Sequence, residues 1–197
     1  MGPYDVNRKH TINSDADKLT ERNFIAHEQW ADPVVGAVDA IHNAVTDTSV
    51  EVEVLTDITN PDYARGITAT AGGTGADIGA IQVVIVGTRN GEVITETLPA
   101  FTVDTPGTVQ GSKAFDTVTS ITIPAHEGTA ATTSVGTNDK LGLNYKLARN
   151  TLMETFLDNT LEGTAAAVTV SATVLASNTI DLHSALDGTV VDAYLIV

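Results

Sequence analysis

The residues of this chain that could do chemistry are few and scattered. Asp181, His183 and Ser184 bring the residue types of a hydrolytic triad close together, but on one strand Asp181 and His183 share a face while Ser184 points away. His27-Glu28 starts like a zinc-binding helix and lacks the second histidine. The other histidines, His10, His42, His126 and His183, show no ligand spacing. Asn13, Asp15, Asp17 and Glu21 look like a calcium loop without the glycine of its sharp turn or its closing glutamate, so capping or solvation explains them. Glu92, Glu96 and Asp104 could be taken for paired carboxylates, yet exposed charges on strand faces are the usual means of keeping β-rich chains soluble. The glycine-rich stretch 71–79 has neither the G-x-G-x-x-G that opens a dinucleotide-binding helix nor the Lys-Ser/Thr of a phosphate loop. It reads as a flexible hairpin connection. No catalytic residue, metal ligand or cofactor is expected, and the chain does not read as an enzyme.

Composition narrows the partners. Among 197 residues, 42% are hydrophobic and only 5% aromatic, so a core must come from Val, Ile, Leu and Ala. A formal charge of −15 repels nucleic acid and anionic membrane surfaces. The absence of cysteine excludes disulfides and thiol catalysis. No run approaches the ~18 apolar residues of a membrane span, and the start has no apolar leader, so the expectation is a soluble protein that is not exported by a signal peptide. Arg8, Lys9, Lys18 and Arg22 crowd the beginning, no further Lys or Arg follows before Arg65, and there is none after Arg149. A basic arm ahead of an acidic body is a candidate for docking on an acidic partner surface.

The elements that must position these residues fall into an N-terminal part, 1–49, and a β-rich body, 50–197, with a sub-boundary near 147–150. Residues 1–29 read as an extended arm whose removal leaves the body folded. Between Trp30 and Thr46, Asp32 can cap a helix whose first position is Pro33. Val34, Val35, Val38, Ile41, His42 and Val45 then recur at helical spacing. One short amphipathic helix is therefore expected, with Trp30 pinning its start or joining an interaction surface. From Val50 the pattern changes to period two. Strands are expected near 50–56, 66–71, 80–87, 92–98, 113–123, 131–136, 165–175, 178–184 and 189–197, with Asn90-Gly91 as a type I′ turn. Residues 151–157 suit either a short helix or an irregular strand. The fold class is all-β, an antiparallel β-sandwich or barrel-like body with an N-terminal arm and one short helix.

Three phrases of the sequence, Thr59-Asn-Pro-Asp-Tyr-Ala-Arg-Gly-Ile-Thr, Val86-Gly-Thr-Arg-Asn-Gly-Glu-Val-Ile-Thr-Glu-Thr and Lys113-Ala-Phe-Asp-Thr-Val-Thr-Ser-Ile-Thr-Ile-Pro, resemble structural proteins of tailed-bacteriophage virions. Ser134-Val-Gly-Thr-Asn-Asp-Lys-Leu-Gly-Leu and the closing Gly188-Thr-Val-Val-Asp-Ala-Tyr-Leu-Ile-Val extend the resemblance over roughly 55–197. It implies a place in a virion and supplies no site residues. Within that class a head decoration (cement) protein fits the charge pattern best. It would be made in the host cytoplasm, sit on the capsid exterior, bind the major capsid protein, and assemble as a homotrimer or other homo-oligomer. A tail, baseplate or head-fibre component is the alternative within the class, and a carbohydrate-binding β-sandwich module is the alternative outside it.

Overall fold

The computed structural model describes residues 11–13, 19–21 and 23–197. Sixteen strands occur among them: β1 Thr11–Asn13, β2 Leu19–Glu21, β3 Ile25–Trp30, β4 His42–Thr46, β5 Val52–Val54, β6 Arg65–Gly73, β7 Val84–Arg89, β8 Glu92–Thr97, β9 Gly107–Phe115, β10 Thr117–Ile123, β11 Ala131–Gly142, β12 Leu152–Leu157, β13 Thr160–Leu161, β14 Ala167–Thr169, β15 Thr179–Asp181 and β16 Val191–Ile196. All pairings are antiparallel. The only helical turns described are two short 3₁₀ segments, Gly75–Asp77 and Leu175–Ser177.

Two hydrophobic cores share one long sheet. That sheet runs β14-β15-β11-β6-β9, with β4 added beside the first part of β11. A four-stranded sheet, β5-β10-β7-β8, shares a core with it built from Ile67, Ala69, Phe115, Val135, Ile85 and Ile121. The second core combines a sheet ordered β13-β12-β16-β3 with the far end of the long one. Trp30, Ala26, Val191, Ala193 and Leu195 meet Leu141, Ile180 and Leu182 there. Strand β11, twelve residues long, supplies Ala131 and Val135 to the first core and Leu141 to the second.

Local sequence explains much of this. Strand β3 alternates strictly between exposed and buried positions, and β7 alternates half-buried with buried ones, as half-covered sheets require. Asn90 and Gly91 take φ of 51° and 78°, the pair of left-handed positions of the expected type I′ turn between β7 and β8. Residues 152–157 form a strand, deciding that ambiguity.

The expected helix over 33–46 does not form. Its second half is strand β4, paired to β11. Its first half is a strap across the same strand: Ala37 O accepts the Thr137 N–H at 3.0 Å, Val135 O accepts the Ile41 N–H at 3.1 Å, and the Ser134 hydroxyl donates to Val38 O at 2.9 Å. The helical spacing of Val34, Val35 and Val38 marks no buried stripe, because all three are exposed. Four of the residues between 34 and 45 are Val and one is Ile, β-branched types that lose freedom in a helix. Edge hydrogen bonds to β11 win.

Two further expectations are corrected. A single strand over 113–123 divides at Asp116, where the chain leaves the long sheet for the four-stranded one. The stretch 71–79 is not a hairpin, since β6 and β7 lie in different sheets. It is a crossover fixed by Asp77, whose carboxylate accepts the Ala130 N–H and whose carbonyl accepts those of Glu127 and Gly128. Residues 25–46 contribute two strands to the sheets of the body, and β3 in particular pairs along the whole of β16.

Candidate functional site

Arg8, Lys9, Lys18 and Arg22, expected as interaction residues, lie outside the described residues. Trp30 is 4% exposed and packs in the second core. It anchors β3 to the interior and offers no outward surface.

The charged groups that the fold does bring together are committed to holding strands. Arg65, fully buried, sits at the register shift of β11, where three residues bulge between Thr137 and Leu141. Its Nε and Nη2 both donate to Asn138 O, its Nη1 donates to Val34 O and to the Asp62 carboxylate, and Asp139 lies 3.5 Å from Nη2. Glu96, 7% exposed, does the mirror task on β9. Its carboxylate accepts the Ser112 N–H at 2.6 Å, the Ser112 hydroxyl at 2.8 Å and the Lys113 N–H at 3.2 Å. A buried charge that receives this many hydrogen bonds is tolerable where a lone one is not.

A groove of about 330 Å³ lies beside a second such network. Arg89 donates to Asp116 at 2.8 Å, to Leu143 O at 2.8 Å and to Asn144 Oδ1 at 3.0 Å. Asn144 in turn donates its N–H and its side-chain amide to Glu28. Burial pushes the Glu28 carboxyl above the usual carboxylate range, against the Asn144 bonds and the Arg89 charge that lower it. A raised carboxyl can serve as an acid, yet here both of its oxygens are held by one asparagine. The network ties β7, β3 and the 143–144 turn together. Asp181, His183 and Ser184 are not joined: no hydrogen bond links them among the described residues, and His183 and Ser184 are exposed. No group of three or more His, Asp or Glu converges as a metal site among the described residues.

The outer face of the sheet β13-β12-β16-β3 gathers aromatic and exposed apolar side chains. Register puts Ile25, His27 and Gln29 of β3 beside Ile196, Tyr194 and Asp192 of β16, with Phe156 next to Asp192 and Leu161 next to Phe156. The His27 and Tyr194 rings stack at 4.6 Å, and Phe156 meets Tyr194 edge-on at 5.9 Å. Asp192 fixes this arrangement by accepting from His27 Nε2 at 2.6 Å and from Gln29 Nε2 at 2.9 Å. Ile25 and Leu161, 64% and 53% exposed, flank the rings. Sequence reasoning missed this face because its members lie at opposite ends of the chain; Phe156 is half-buried on its outside. Only the period-two alternation of Ile25, His27 and Gln29 could have signalled it.

Comparison with protein-family models, with curated proteins and with solved structures finds no match to this chain.

Proposed function

We propose that this chain is a structural component of a tailed-phage virion, acting as a head decoration protein that binds the outer capsid surface as a homo-oligomer. The observation that carries the reading is the outer face of β13-β12-β16-β3. It joins exposed Ile25 and Leu161 to a ring cluster already fixed by Asp192, so docking on it costs little side-chain ordering. Arg8, Lys9, Lys18 and Arg22 precede β3 in the sequence, and positive charge of this kind adds a salt-sensitive contact to an acidic capsid. The buried charges, spent on bulges and turns, suit a rigid lattice part. At high copy number, weak contacts suffice through multivalency.

Co-sedimentation with capsids lacking the protein tests this, alongside light scattering of the free protein. Saturable binding at hundreds of copies, weakened by salt and abolished by Ile25→Asp with Leu161→Asp, is expected. Copy numbers of a few dozen would assign the chain to the tail, baseplate or a fibre, and undiminished binding by the double variant would remove this face from the mechanism.

A further inference from the structure

The outer strands of these sheets are closed in different ways. Strands β5, β13 and β14 are two or three residues long. Strands β4 and β9 carry register breaks against their neighbours. Strand β8 is covered, because Lys113 Nζ donates to Thr95 O at 2.6 Å and Glu96 binds the backbone of β9. Shortening, bulging and covering are how proteins keep an edge from pairing with another chain. Strand β3 shows none of the three. It runs six residues beside β16 without a break, and no strand lies on its other side among the described residues.

The phase of the ladder says which groups are left over. Phe24 and Val197 exchange both backbone bonds, at 2.9 and 2.8 Å. Alternation then commits Ala26, Glu28 and Trp30 to β16 and turns the N–H and C=O of Ile25, His27 and Gln29 to the open side. None of these three backbones has a hydrogen-bond partner among the described residues. Their side chains carry no fixed charge, and Glu28 turns inward, where Asn144 holds it.

The two ends of β3 complement each other. At its start Phe24 is half-buried and belongs to neither core. Its cross-strand partner Val197 packs against the second core, so Phe24 sits on the inner face of the sheet. At the other end the 330 Å³ groove opens beside Gln29 and Trp30, with Pro61, Tyr63 and Ala64 further along its wall. No β16 residue lines it, which places it past the open edge of β3. Arg89 lines it too, and a guanidinium takes an aromatic ring on its face.

We propose that β3 pairs antiparallel with β3 of a second copy about a twofold axis, His27 facing the partner's His27 and Ile25 facing the partner's Gln29. This is the register in which all three open residues of each strand exchange both of their bonds. It also brings the partner's Phe24 opposite Trp30, at the mouth of the groove, and a twofold repeats that contact at the other end. The result is one eight-stranded sheet whose two outer faces lie side by side. The inference rests on the homo-oligomer of the proposed function and gives it an order of two and an interface. Strand addition of this kind takes affinity from main-chain bonds and specificity from side-chain pockets.

Sedimentation equilibrium of the free full chain, over about 1 μM to 1 mM to reach the weak range of small interfaces, is the test. A reversible dimer is expected. Phe24→Ala should weaken it by at least about tenfold and leave the melting midpoint of the monomer in place. Because the chain has no cysteine, single cysteines report the register. Under mild oxidation His27→Cys should cross-link to its own copy faster than Val93→Cys, an exposed position on β8, and Ile25→Cys should cross-link to Gln29→Cys faster than either does to itself. A monomer at every concentration would overturn the proposal, whether the edge is then taken by residues 1–22 of the same chain or kept for a different protein. A trimer, undiminished association in Phe24→Ala, or cross-linking of His27→Cys no faster than that of Val93→Cys would do the same. No capsid enters these measurements, so a dimer that fails to sediment with capsids would remove the capsid reading alone.

Discussion

Arg65 grips the carbonyl oxygen of Asn138 with two of its nitrogens, Nε at 3.0 Å and Nη2 at 2.8 Å, from a position with no solvent exposure. One guanidinium thereby holds the β11 bulge, the strap through Val34 O, and the turn at Asp62. Replacing it leaves the Asn138 and Val34 carbonyls without these donors and takes the counter-charge from Asp62 and Asp139. Arg65→Met is expected to cost about 3–5 kcal/mol in urea unfolding. Arg65→Lys should recover only part of this, because an ammonium cannot reproduce the planar fork.

The turn at Asn90-Gly91 gives a smaller and cleaner effect. Gly91 has φ of 78° and nothing within 4 Å of an added Cβ, so a substitution there meets backbone strain alone. Gly91→Val is expected to lower stability by about 1–2 kcal/mol, and an unshifted urea midpoint would count against this turn geometry.

Acid should weaken the fold through His126. Its Nδ1 accepts the Gly79 N–H at 3.2 Å, so Nε2 carries the hydrogen and donates to Thr133 Oγ1 at 2.8 Å. Burial lowers its pKa from 6.5, with the Asp47 charge opposing. The folded state therefore holds fewer protons than the unfolded one below pH 6.5, and stability is lost as pH falls from there toward the folded value. Glu28 has the opposite sign: raised above 4.5, it binds more protons when folded, and costs stability as pH rises from 4.5. Urea unfolding across a pH series should show His126→Gln reducing the loss of stability as pH falls below 6.5, and Glu28→Gln removing the opposing loss as pH rises from 4.5.

The strap offers a test that separates surface from core. A Cβ at Gly136 would overlap the Ala37 carbonyl oxygen. Gly136→Ala should release the strap, losing the Thr137 and Ser134 hydrogen bonds at about 1 kcal/mol each. Faster amide exchange at Thr137 is the readout.

Removal of residues 1–29 is expected to abolish cooperative melting, contrary to the reading of that stretch as a dispensable arm. Strand β3 covers one whole edge of β16 and brings Ala26 into the second core, ahead of Trp30. A retained sharp melt in the truncated chain would show that β3 is peripheral.

Sequence by itself determined what depends on neighbours along the chain. The Asn90-Gly91 turn, the alternation after Val50 and the all-β class follow from φ preferences and period-two patterning, which act over a few residues. It misjudged residues 33–46 because helical spacing describes apolar positions without saying whether anything covers them, and here Val34, Val35 and Val38 face solvent while the backbone pairs with β11. Tertiary structure alone decided the rest. His27 and Asp192 meet across 165 positions, and Asp139 joins Gly36 across 103. No local preference encodes such pairs, since they exist only once antiparallel registers have closed the sheets around two cores.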